Sequence, residues 1–112
     1  MAIVIVEDRV PQEDFEKAKE DYQTYIKITV DLKRKTVALG GEYHADAEVL
    51  LLQQGSKQKD IWGGGLNLEE KRIETNAIVN LRPRENESVE ILDPKIRKKF
   101  IKLVKKVLKE YV

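Results

Sequence analysis

Strict alternation gives the clearest signal in this chain. From Ile26 to Leu32 the order Ile-Lys-Ile-Thr-Val-Asp-Leu places Ile26, Ile28, Val30 and Leu32 on one side, as a strand with one face on a core requires. Lys33-Arg34-Lys35 then reads as a polar turn into Thr36-Val37-Ala38-Leu39, predicting a β-hairpin that breaks at Gly40-Gly41. Ahead of it, Ala2-Ile3-Val4-Ile5-Val6 is a continuous β-branched run, expected to be a strand buried on both faces inside the sheet. Pro11 at a first helical position, with Glu13 and Asp14 behind it, opens a helix to about Tyr22, with Phe15, Ala18, Tyr22 and Tyr25 inward. A second helix is expected from Tyr43 or His44 to Gln54, with Ala45, Val49 and Leu52 inward and Gly55 just past its end. Lys59 to Trp62 reads as a short strand and Gly63-Gly64-Gly65 as a loop. In Arg72 to Leu81 the residues Ile73, Thr75, Ala77, Val79 and Leu81 share a strand face. After a turn at residues 82–87 and an extended piece from Ser88 to Leu92, Asp93 and Pro94 form an N-cap and an N1 proline. They open a helix whose apolar positions Ile96, Phe100, Leu103, Val104, Val107, Leu108 and Tyr111 fall on one face.

This order predicts one small α+β domain: a mixed or antiparallel sheet, about three helices, and a C-terminal amphipathic helix. Its first six elements also fit a ferredoxin-like βαββαβ core. At 112 residues, with 41% hydrophobic positions, the chain suits a single core. Twenty-one basic side chains against 20 acidic ones leave no global field that would call for nucleic acid or an anionic membrane. With no cysteine, disulfides, thiolate metal sites and Cys nucleophiles are excluded. The apolar run at residues 2–6 is too short for a signal peptide core or a membrane span, so a cytoplasmic protein is expected. Its abundance of Lys and Glu is a composition seen in heat-adapted proteins.

Two long patterns stand out. One is G-G-E-x-H-A-D-x-E-x-x-L-L-x-x-G-S-x-Q-x-x-I-W-G, from Gly40 to Gly63; the other is N-x-R-P-x-x-N-x-S-x-x-I-x-D-P-x-x-R, from Asn80 to Arg97. Both resemble signatures of a family of small bacterial and archaeal proteins catalogued as a domain of unknown function. The resemblance implies a fold and a cellular setting, but no catalytic residue, cofactor or partner.

Candidate chemistry gathers in the same stretches. Glu42, His44, Asp46 and Glu48, with Asp60 further on, carry imidazole and carboxylates of the kind that bind a divalent metal such as Zn or Mn. A zinc centre needs three or four ligands, however, and a helix start also favours Asp46 and Glu48 through its dipole. Trp62 beside three glycines could wall a site where backbone amides approach an anion, although no P-loop or dinucleotide fingerprint is present. Asn80, Arg82, Arg84, Asn86 and Ser88 place two guanidiniums among amide and hydroxyl groups, as an anion site would; the same residues could instead bond turn backbone or pair with Glu85, Glu87 or Glu42. The last helix carries eight cationic residues against Asp93 and Glu110, while residues 7–21 hold seven acidic residues against three basic ones.

Three functions follow in order. The first is a non-catalytic binding or regulatory module, a small homo-oligomer whose polar pocket of Glu42, His44, Trp62, Asn80, Arg82, Arg84 and Asn86 receives an anionic small molecule or partner segment. The second is a metal-assisted phosphoester hydrolase, with His44, Asp46, Glu48 and Asp60 on the ion and an arginine on the substrate. The third is nucleic-acid binding through Lys98, Lys102, Lys105 and Lys109, without base stacking because Phe100 and Tyr111 belong to the apolar stripe.

Overall fold

The computed structural model describes residues 2–112. Five strands, β1 (Ile3–Val6), β2 (Tyr25–Asp31), β3 (Thr36–Gly40), β4 (Ile61–Asn67) and β5 (Arg72–Glu74), form one antiparallel sheet in the order β1-β3-β2-β4-β5. Three helices, α1 (Gln12–Ala18), α2 (His44–Gln53) and α3 (Pro94–Val107), and two 3-10 turns, Gln58–Asp60 and Ile78–Asn80, complete it. The α+β class, the single domain and the C-terminal helix are as the sequence predicts.

The hairpin of β2 and β3 is the centre. Ile28 faces Leu39 and Val30 faces Val37 across it, all fully buried. Asp31 accepts a bond from the Arg34 amide at 2.9 Å, and Lys35 takes the left-handed conformation that closes the turn (φ 54°). Around this hairpin the chain makes two crossovers, β1-α1-β2 and β3-α2-β4, each skipping one strand. In a ferredoxin-like core the second crossover would return beside β1; here β4 joins the free side of β2 instead. Both crossovers therefore step in the same lateral direction from strands of opposite polarity. Right-handed connection then sends their helices to opposite faces of the sheet. That is where they lie: Phe15 and Ala18 of α1 join the main core with Phe100, Leu103, Val104 and Val107 of α3, while Ala47 and Leu51 of α2 meet Ala38 and Ile61 on the other face.

Five expectations need correction. β1 is an edge strand, half-buried and paired only with β3, because the sheet grows on the β2 side. α1 ends at Ala18 rather than Tyr22, with the Lys19 amide already turning back to Glu16 O, and Pro11 is its N-cap. The three glycines are not a loop but the middle of β4, where they admit close neighbours. A Cβ on Gly64 would lie 2.1 Å from Glu74 O and 2.8 Å from the Phe100 ring. Finally, the strand expected through Leu81 stops at Glu74, and α2 turns Ala47 and Leu51 inward while Ala45, Val49 and Leu52 face out.

Asp93 caps α3 as expected, accepting from the Lys95 amide at 2.8 Å, with Pro94 at the first turn. α3 meets the start of α1 through Phe15 stacked on Tyr111 at 3.9 Å between ring centroids and through the Val10 amide on Val107 O. Among the described residues no helix is long and apolar enough to cross a membrane.

Candidate functional site

Several of the residues marked by the sequence lie along the outer margin of β4. The bonds Leu32 N to Asp60 O and Leu68 N to Thr24 O bracket the β2–β4 ladder, so even-numbered residues of β4 bond to β2. Odd-numbered residues turn their peptide groups the other way. β5 meets Gly65 and Asn67 there and then departs, leaving Gly63, Ile61 and Lys59 without a strand.

Side chains take its place. The fully buried Asn80 accepts from the Gly63 amide at 2.8 Å and donates to Gly63 O at 2.9 Å, as a strand residue would. The same amide nitrogen reaches Val89 O at 3.0 Å, tying the returning chain to the sheet. Arg82 continues the series, its guanidinium donating to Lys59 O at 2.9 Å and to Ile61 O, and stacking 3.9 Å above the Trp62 ring. Burial lowers its pKa, against the opposing pull of Glu85, Glu48 and Asp60. Asn86, also buried, donates to the carbonyls of Asn80, Ser88 and Glu90 and accepts from the Leu92 amide.

His44 opens α2 and reaches down to the sheet, its Nε2 2.6 Å from Gly64 O. Because that partner is a carbonyl, Nε2 carries the proton and the neutral ring has its other nitrogen bare. Burial pushes the His44 pKa below 6.5, with the Gly64 bond opposing and Lys27 adding to the effect. Its ring edge, Ala77 and Val79 crowd around Gly63, which leaves no room for a Cβ there.

The remaining candidates are dispersed. Glu42 is exposed, and its backbone oxygen accepts from the Tyr22 hydroxyl. Arg84 is exposed in a left-handed turn (φ 69°), with its amide on Glu87. Asp46, Glu48 and Asp60 are half-buried. Among the described residues no three His, Asp or Glu groups stand where they could hold one metal ion. A hollow of about 340 Å³ beside Arg82, lined also by Lys59, Leu81 and Glu85, is shallow, and both terminal guanidinium nitrogens are turned to the carbonyls instead.

Two groupings escaped the sequence reading. On the α2 face of β2, Lys27 sits over the rings of Tyr22 and Tyr25 at 5.0 and 5.9 Å. Burial, then the neighbouring Glu74 carboxylate, push the Tyr25 phenol up to about 12, so it stays a hydrogen-bond donor at any physiological pH. The polar side of the alternating β2 pattern was the available signal.

The other grouping is an open groove of about 890 Å³ on the opposite face, between the β4–β5 hairpin and the last helix. Ile73, Ile101 and Val112 form its apolar part, with Lys71, Arg72, Lys105 and Lys109 around them. Arg72 is clasped by Glu70 and Glu74. Lys71, Lys105 and Lys109 form no ion pair among the described residues. Only the spacing of residues 101, 105 and 109 along one line of a helix hinted at this, because the other wall comes from thirty residues earlier.

The fold and these surfaces define a small α+β domain built on a five-stranded antiparallel sheet, its conspicuous polar residues engaged mainly with backbone. The chain belongs to the family described as a protein of unknown function, DUF5674, which it matches over residues 4–107. No curated protein and no solved structure matches it.

Proposed function

We propose that this protein is a non-catalytic binding module that receives an anionic partner segment in the groove between β5 and α3. The observation that carries this reading is the set of three lysines, Lys71, Lys105 and Lys109, which have no ion-pair partner among the described residues and surround Ile73, Ile101 and Val112. Unpaired cations beside apolar surface suit a ligand that offers carboxylates and apolar groups together. Backbone geometry adds to it. Gly65 and Asn67 use their outward peptide groups on Glu74 and Arg72, so the intervening Ile73 turns its own N–H and C=O away from the sheet, toward the free edge. An extended segment lying there would gain strand-like bonds as well as charge contacts.

The pocket expected around Arg82 is a weaker candidate, because Asn80, Arg82 and Asn86 already satisfy backbone groups. The hydrolase reading asks for at least three convergent ligands, and His44 is bonded to Gly64 O.

Titration of the labelled protein with a synthetic peptide of alternating Glu and Val, followed by amide NMR, tests the proposal. Shifts centred on Ile73, Ile101 and Lys105, weakened at least tenfold by Lys105→Glu with Lys109→Glu and by added salt, are expected. Shifts confined to the Arg82 hollow, or none at millimolar peptide, would defeat it.

A further inference from the structure

The outward face of α2 has no counterpart in that groove, which lies across the sheet. Ala45, Val49 and Leu52 recur at the four- and three-residue steps of one helical face, and all three are exposed, Val49 at 51% and Leu52 at 40%. The opposite side of the same helix buries Ala47 and Leu51. A helix apolar on both sides belongs between two layers, and the described residues supply only one. Beside it, the 3-10 turn at Ile78–Asn80 continues the surface: Ile78 is 79% exposed, Leu81 53%, and Tyr43 at the head of α2 61%. Five of the nine exposed large apolar side chains among the described residues thus gather at α2 and the turn next to it, a concentration that marks an interface rather than scattered surface.

We infer that this face docks a second copy of the chain, the two α2 helices packing antiparallel about a two-fold axis. Charge selects that occupant. The first turn of α2 carries Asp46, with Glu42 just ahead of the helix, while its far end is flanked by Lys57, Lys59 and Arg34, whose guanidinium donates to Gln54 O at 2.7 Å. A two-fold axis across the middle of the helix sets each acidic start against the partner's basic end, and it also opposes the two helix dipoles. Parallel packing would set like charges together, and a partner of one charge sign would match only half of the face. A self-complementary face with opposite charge at its two ends is what an isologous contact needs. The same axis leaves both β5–α3 grooves open, on the far faces of the dimer.

Sedimentation equilibrium from micromolar to millimolar protein reads the outcome directly. The expected species is twice 13.0 kDa. Val49→Lys with Leu52→Lys, both at exposed positions so that circular dichroism should be unchanged, is expected to weaken association at least tenfold. Asp46→Lys alone should weaken it, and adding Lys57→Glu should restore it, since each chain then presents the reversed pair at both ends. A monomer at every concentration overturns the inference, as does a dimer that the two lysines leave intact. A dimer disrupted by Asp46→Lys that Lys57→Glu fails to restore overturns the antiparallel arrangement.

Discussion

The two margins of β4 satisfy the same peptide chemistry by different means. Toward β2, seven consecutive residue pairs run from Asp31 opposite Ile61 to Tyr25 opposite Asn67, and the backbone alone closes the ladder. On the other margin, strand pairing lasts for three pairs, and from Gly63 onward side chains stand in. A ladder is redundant, because each bond is backed by its neighbours and no single side chain carries it. The substituted margin has no such redundancy. Asn80 alone answers both peptide groups of Gly63, and Asn86 alone gathers three carbonyls and one amide from residues 80–92. Polar substitutions should therefore be far more damaging on this margin, although it looks like irregular loop.

Asn80→Ala is the sharpest way to break the comparison. It removes a buried amide and leaves the buried Gly63 N–H and C=O without partners, while the Val89 C=O keeps only its bond from the Ala77 amide. At roughly 1–3 kcal/mol for each buried polar group left unsatisfied, a loss of about 3 kcal/mol or more in unfolding free energy is expected by urea denaturation. Asn86→Ala should cost about as much, again near 3 kcal/mol. Thr29→Val, on the laddered β2, is the control: its hydroxyl makes no hydrogen bond, so the change should be neutral or stabilising. Equal losses at Asn80 and Thr29 would show that the side-chain margin holds nothing special.

On the laddered strand the vulnerable positions are steric. Gly64→Ala would drive a methyl against Glu74 O, a backbone atom that cannot rotate aside, and against the Phe100 ring, so overpacking of about 2–3 kcal/mol is expected. Gly65→Ala meets the end of the Tyr25 side chain instead, which can swing, and should cost less. The ranking, measured in the same denaturation series, fails if Gly65→Ala proves the worse.

These particulars explain how much could be read beforehand. The β2–β3 hairpin was legible because the apolar residues of β2 alternate toward the main core, although the sheet's other face is covered as well, and α3 because it has one wet and one dry face. β4 was not, since its glycines are set by Tyr25, Phe100 and Glu74, residues that meet it only after folding. The strand expected from Arg72 to Leu81 failed where its alternation stayed good but Asn80 supplied the bonds a strand would have made. In α2, apolar residues on two sides left the pattern unable to choose between faces, and the stripe chosen was the outer one. His44, Asn80, Arg82 and Asn86 stand out in the sequence by type, but their types do not distinguish a ligand from a backbone carbonyl as partner. The β5–α3 groove was invisible because its walls are far apart in the chain.

Arg82 tests whether the substituted margin needs a planar fork. Lysine keeps the charge but cannot span Lys59 O and Ile61 O while lying flat on Trp62, so Arg82→Lys should lose nearly as much as Arg82→Ala, about 1–2 kcal/mol each. Both should also change the fluorescence of Trp62, the only tryptophan. Full stability in Arg82→Lys would reduce the contact to charge alone.

His44 should give the smallest effect and the cleanest assignment, because it is the only imidazole in the chain. Its folded pKa lies below the ordinary 6.5, chiefly through burial. The unfolded chain therefore takes up a proton at a higher pH than the folded one, and stability that is fully present above 6.5 declines as pH falls below it, through the folded pKa. The Gly64 bond does not cause the loss, since a protonated ring still donates from Nε2; the cost is a cation held out of water near Lys27. The range in which carboxylates ordinarily titrate, near 4, lies at lower pH, so the window between about 6.5 and 5 isolates the imidazole. His44→Gln keeps a donor within reach of Gly64 O without a titrating group. Its unfolding free energy should be flat across that window where the wild type slopes, and parallel curves for the two proteins would remove His44 as the cause.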